Sequence, residues 1–150
     1  MLRYDDIADV HLELTSRCSA SCPMCPRNYS GGKLNEQLPL TELSLADIQQ
    51  LFPVELVVRL KRLYLCGNYG DALVARDTLE VLEYLRQAGG PKLKLGLHTH
   101  GSGRTPEWWQ RLARTLSYCR FGIDGLADTS ALYRRGTSFE KVMASAEAYI

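Results

Sequence analysis

The 150 residues, 45% hydrophobic and 23% charged, suffice for one globular domain with a buried core. A formal net charge of +1, with acids and bases interleaved along the chain, gives no cationic field for a phosphate backbone, so nucleic acid gains no support as a partner. The opening stretch carries Arg3, Asp5, Asp6 and Asp9, unlike a secretory signal, and no apolar run reaches membrane-spanning length; a cytoplasmic protein without a membrane partner is expected.

In chain order, Val10 to Leu14 reads as a first strand, and the polar, glycine-containing stretch from Asn28 to Glu42 as a long loop. Ser44 with Asp47 three residues on marks a helix start, followed by an apolar strand at Arg62 to Cys66. Asp77 with Glu80 opens the next helix, Lys92 to Thr99 is the third strand, and Thr105 before Pro106 and Glu107 caps a third helix. Cys119 to Ile123 is the fourth strand, and a last helical pattern begins near Ser138. Alternation of this kind predicts the α/β class, a parallel sheet with right-handed crossovers. The last pattern, through Val142, Met143, Ala146 and Tyr149, meets no stop signal before Ile150, so residues 1–150 are expected to be the N-terminal part of a larger domain whose fourth strand forms an apolar edge.

Five cysteines, three of them at Cys18, Cys22 and Cys25, suit a reducing compartment in which clustered thiols are metal ligands. The trio follows the first strand directly, where α/β sheets present ligands. Pro23 and Pro26 push Cys22 and Cys25 away from helical geometry, so the segment should wrap as a loop. Structural zinc takes four protein ligands, whereas a cubane cluster can accept three cysteines and leave one iron open. The run is not that of a bacterial ferredoxin, which places its cysteines two, two and three residues apart.

The spacing C-x3-C-x2-C after Thr15-Ser16-Arg17 resembles the signature of the radical S-adenosylmethionine (SAM) superfamily. The resemblance implies a [4Fe-4S] cluster on Cys18, Cys22 and Cys25, with SAM chelating the open iron, reductive cleavage to a 5′-deoxyadenosyl radical, and hydrogen abstraction from a substrate. It also implies the first four βα units of a partial TIM-like (β/α)6 barrel, and an electron donor such as flavodoxin or ferredoxin. Cys66-Gly-Asn-Tyr-Gly70-Asp71-Ala72 resembles the family's Gly-Gly-Glu-Pro segment, which places Gly70 and Asp71 at the methionine end of SAM. Phe121-Gly-Ile-Asp124-Gly125, followed by Tyr133-Arg134-Arg135-Gly136 and Ser138-Phe139, resembles members with a SPASM or twitch domain. There Arg134, or Arg135 by a shift of one, would pair with the SAM carboxylate, and Gly122 stands where a ribose-binding Ser is common. His98-Thr99-His100-Gly101 resembles the strand end Thr-Asn-Gly, making His100 a SAM or substrate contact, and Met24 occupies the place of an aromatic near the adenine.

Other readings of the same residues stand beside these. A zinc staple completed by Cys66, Cys119 or a histidine is the alternative in which the cysteine loop is only structural. His98 and His100 share a strand face and would also suit a metal. Cys66 and Cys119 lie in apolar strands and are expected to be buried, and of Trp108 and Trp109 one should be core and the other partly exposed, since neighbours on a helix point about 100° apart. Substrate, peptide or small metabolite, is not written in these residues.

Overall fold

In the computed structural model, which describes residues 3–150, four strands form one sheet: β1 (Asp9–Leu12), β2 (Arg62–Leu65), β3 (Lys94–Thr99) and β4 (Tyr118–Phe121). They lie in the order β1-β2-β3-β4, every neighbouring pair parallel, so each strand pairs with the next after a crossover. Helices α1 (Leu45–Leu51) and α2 (Val54–Val57) connect β1 to β2, α3 (Thr78–Gly89) connects β2 to β3, and α4 (Pro106–Thr115) connects β3 to β4. Helices α5 (Ser130–Tyr133) and α6 (Phe139–Tyr149) follow β4. The α/β alternation is the expected one, with short α2 and α5 in addition.

The expected helix starts are built as the sequence suggests, with one exception. Ser44 Oγ accepts the Asp47 N–H at 3.2 Å while the Asp47 carboxylate takes the Ser44 N–H at 2.8 Å, a reciprocal cap. Thr105 and Ser138 likewise accept the N–H groups of Trp108 and Lys141. Asp77 precedes α3 but does not cap it: its carboxylate accepts the Leu45 N–H at 3.0 Å and so ties the start of α1 to that of α3. β1 also stops two residues early. Leu14 and Ser16 bond instead to Leu43 and Thr41, at 2.9 and 3.0 Å, which lays the far end of the Asn28 to Glu42 loop against the cysteine segment.

Alternation along the strands divides the sheet into two faces. Leu12, Leu63, Leu65, Leu95 and Leu97 are buried against Ile48, Leu79, Leu82, Leu85, Trp109 and Leu112 from the helices. Trp109 is core and Trp108 partly exposed, as expected. The opposite face carries His11, Tyr64, His98, Tyr118 and Arg120, all half-buried or exposed. Cys66 and Cys119 depart from expectation: both are only half-buried, because Cys66 falls on the polar face and Cys119 lies on β4, which has a neighbouring strand on one side alone.

Candidate cluster and cofactor site

The segment after β1 folds as a loop over the carboxyl ends of the strands, where Cys18, Cys22 and Cys25, all free thiols, line one cavity of about 540 Å³. Successive tight turns shape the loop: the Cys25 N–H bonds to Cys22 O at 3.0 Å and the Asn28 N–H to Cys25 O at 3.1 Å. Its carbonyls are held from within. Arg27 Nη2 donates to Cys18 O at 2.9 Å and to Ala20 O at 3.0 Å, and Asn28 Nδ2 donates to Cys22 O at 3.2 Å. Arg27 is buried, which an arginine two residues past a cysteine motif does not announce in sequence. Only the tertiary fold shows that it is the loop's internal brace.

Gly70 makes its own contribution through close backbone approach. A Cβ there would collide with the backbone of Thr15 and come within 2.9 Å of Arg17 O, and the next N–H, that of Asp71, bonds to Arg17 O at 2.8 Å. The β2 turn thus clamps the entry to the cysteine loop. Asp71 is buried, and its carboxylate accepts from Leu73 N–H at 2.9 Å, Thr99 Oγ1–H at 2.8 Å and His100 N–H at 2.8 Å. It ties the end of β2 to the end of β3 inside the cavity wall.

His100 is also buried, and burial lowers its pKa, against the Asp71 charge and with help from Arg134. The Ser102 N–H donates to His100 Nδ1 at 3.0 Å, which assigns the ring proton to Nε2, directed at Ser19 Oγ 3.2 Å away. Met24, by contrast, stands 79% exposed at the cavity rim.

Arg134 lines the cavity, whereas Arg135 turns away and donates to Ser30 O at 3.1 Å. Of the two arginines that the sequence leaves open, Arg134 is the one whose guanidinium faces the cavity. Arg134 Nε bonds to Asp124, and its Nη1 points at Cys22 Sγ, 3.7 Å away. Gly122 makes room for this arrangement: a Cβ on it would stand 2.5 Å from Arg134 Nη2. Asp124 reaches the site only through Arg134, since it does not itself line the cavity.

The donor set fits an anionic iron–sulfur group. Two guanidiniums, Arg27 and Arg134, approach the cysteine loop, and the Arg27 Nε–H is buried without a partner among the described residues. Burial pushes the Cys18 thiol up to about 11, with the Ala20 N–H and Arg27 working against burial and the Asp71 charge with it. A metal ligand must be a thiolate, so a metal group on this loop would displace protons, and the nearby cations would offset the charge left behind.

No protein-family model and no curated protein matches the chain. Solved structures do. Native anSMEcpe with bound AdoMet aligns with a TM-score of 0.72 at 17% identity, over 95% of this chain and 40% of that one. BtrN in complex with AdoMet and 2-DOIA gives 0.61 at 16%, over 85% and 55%, and the FeFe-hydrogenase maturase HydG from Carboxydothermus hydrogenoformans gives 0.63 at 16%, over 95% and 33%. This chain therefore spans about half the length of those proteins, or less. The likeness defines the fold: four parallel βα units in the arrangement of a partial radical SAM barrel. Two of these three structures hold AdoMet.

Proposed function

We propose that this chain is the N-terminal part of a radical SAM enzyme, with a [4Fe-4S] cluster on Cys18, Cys22 and Cys25. The observation that carries the reading is the meeting of three free thiols and an inward-facing arginine in one cavity at the carboxyl ends of a parallel sheet. When bound, such a cluster supplies one electron to SAM, which yields methionine and the 5′-deoxyadenosyl radical that removes a substrate hydrogen. The chain's own residues do the rest. Arg134, oriented by Asp124, would receive the SAM carboxylate, and Met24 would lie toward the adenine. Gly70 keeps the β2 turn close to the cysteine loop. Asp71 and His100 hold the ends of β2 and β3 in register beneath the ligand; Asp71 would have to release one of its three donors to meet the SAM ammonium group. A flavodoxin or ferredoxin would serve as reductant.

The test is anaerobic reconstitution with iron and sulfide. Single Cys18→Ala, Cys22→Ala or Cys25→Ala changes should each abolish the brown chromophore near ~400 nm expected of a cubane, while Cys66→Ala and Cys119→Ala should keep wild-type iron content. If Cys66→Ala loses iron as fully as the other three, the open-iron reading fails.

A second reading has one observation in its favour: ligand atoms of Cys18, Asp71 and His100 lie within 4.8 Å of one another, a set that would suit zinc. Against it, the Asp71 oxygens are already taken by three donors and His100 Nε2 carries the proton. Stoichiometric zinc that is lost on His100→Ala and kept on Cys25→Ala would establish it.

A further inference from the structure

Below the cysteine loop, the polar face of the sheet is built in rows. His11, Tyr64, Gly96 and Tyr118 occupy neighbouring positions on the four strands. The rings of His11 and Tyr64 stack 5.0 Å apart at 8°, and the His98 ring lies 5.2 Å from that of Tyr64 and 5.8 Å from that of Tyr118. Gly96 is what lets Tyr118 lie inward, because a Cβ there would run into its ring. Of these rings only that of His98 lines the cavity; the others pack beside it.

One row nearer the cluster loop, His98 is paired with Arg120, and both line the same cavity as the three cysteines. Nothing assigned to the cluster or to SAM uses either side chain. His98 Nε2 is buried with no hydrogen-bond partner among the described residues, an orphan that a ligand acceptor would satisfy. Arg120 has no carboxylate partner among the described residues and rests only over the Tyr118 ring, 5.9 Å from its centroid. The acid at the end of β1, Glu13, is already held by Asn68 Nδ2 at 2.6 Å and by its N–H at 3.0 Å. Lys94 approaches the Tyr118 ring at 5.8 Å but does not line the cavity, and Arg62 is paired with Asp9.

We infer that His98 and Arg120 form the substrate subsite, and that it takes a carboxylate. The inference rests on the radical SAM reading and adds to it the chemical class of the substrate. A guanidinium offers a carboxylate two parallel N–H donors, and an imidazole Nε2–H beside it offers a third. Arg120 is the one fixed positive charge of this pair. That charge balances a monoanion and leaves a phosphate dianion uncompensated. A free carboxylic metabolite and a glutamate within a peptide present the same group.

The experiment is a titration of protein labelled with nitrogen-15 at histidine, followed by the His98 Nε2 resonance, which His98→Gln identifies by its loss. Benzoate should give a saturable shift, and benzamide, its uncharged counterpart, should give none. Arg120→Ala should raise the apparent dissociation constant at least about tenfold, and Arg120→Lys should fall between, since lysine keeps the charge without the fork. A capped pentapeptide with a central Glu serves as the other arm: tighter binding than benzoate identifies a peptide source, weaker binding a small metabolite. An equal response to benzamide, or unchanged benzoate affinity in a folded Arg120→Ala protein, overturns the subsite, as does the absence of saturation. The titration is run before and after reconstitution, so a chain that binds benzoate but no iron would sink the cluster reading alone, whereas one that binds iron and SAM but no carboxylate would sink the subsite alone.

Discussion

At the scale of single residues, Gly122 and Arg134 act as one device. The guanidinium occupies the space that any side chain at position 122 would need, and Asp124 holds its Nε so that Nη1 points at Cys22. Gly122 stands where the resemblance would place a ribose-binding Ser, and in the fold it leaves the opening through which Arg134 reaches the cavity. Arg134→Ala should therefore raise the SAM dissociation constant about tenfold to a hundredfold, the equivalent of a charge-assisted hydrogen bond worth roughly 1.5–3 kcal/mol. Gly122→Ala should reproduce much of that loss with Arg134 intact and iron content unchanged. SAM titration of the reconstituted protein by EPR measures both; wild-type affinity in Gly122→Ala would show that the guanidinium position does not matter to SAM.

At the scale of elements, β3 is the strand on which sheet and site both depend. It has a neighbour on each side, its Leu95 and Leu97 are fully buried against the helices, and its last residue, Thr99, and the next, His100, meet Asp71. Leu97→Ala should cost about 2–5 kcal/mol, because the leucine is enclosed on every side and the packing around it can relax only in part. Urea unfolding followed by circular dichroism gives the figure, and a loss below about 1 kcal/mol would mean that the core closes over the missing atoms. The Asp71 cluster adds a second link: damage to the middle of β3 should reach the cavity wall through Thr99 and His100.

At the scale of the whole molecule, the edge strand makes stability sensitive to alkali. Burial, with the Asp71 charge, pushes the Cys119 thiol up to about 12 from its ordinary 9.0. Above pH 9 the unfolded chain gives up this proton while the folded one keeps it, so the folded state binds more protons and stability falls as pH rises toward 12. The slope from this group is about 1.4 kcal/mol per pH unit once the unfolded thiol is ionised. Tyr149, raised to about 12 chiefly by burial and partly by Cys119, acts in the same direction. Chemical denaturation at about pH 8 and about pH 10 should show a smaller loss in Cys119→Ala than in the wild type, and parallel losses would assign the alkaline sensitivity elsewhere.

The order of strands and helices was legible in the sequence because period, caps and turn residues are local signals: Ser44 with Asp47, Thr105 before Pro106, and alternation through Lys94–Thr99 each report on a few neighbouring residues. The course of the cysteine loop was legible for the same reason, since Pro23 and Pro26 keep Cys22 and Cys25 out of a helix. Strand ends were less so, because β1 stops where Leu14 and Ser16 find partners in Leu43 and Thr41, a choice between distant segments. Which of Arg134 and Arg135 faces inward, the buried brace of Arg27, the use of Asp77 on a helix other than the one it precedes, and the meeting of His98 with Arg120 were decided only by tertiary structure. Each is a contact between residues far apart in the chain or a choice between side chains of one chemistry, and spacing carries no information about which of them the folded backbone will turn toward the cavity.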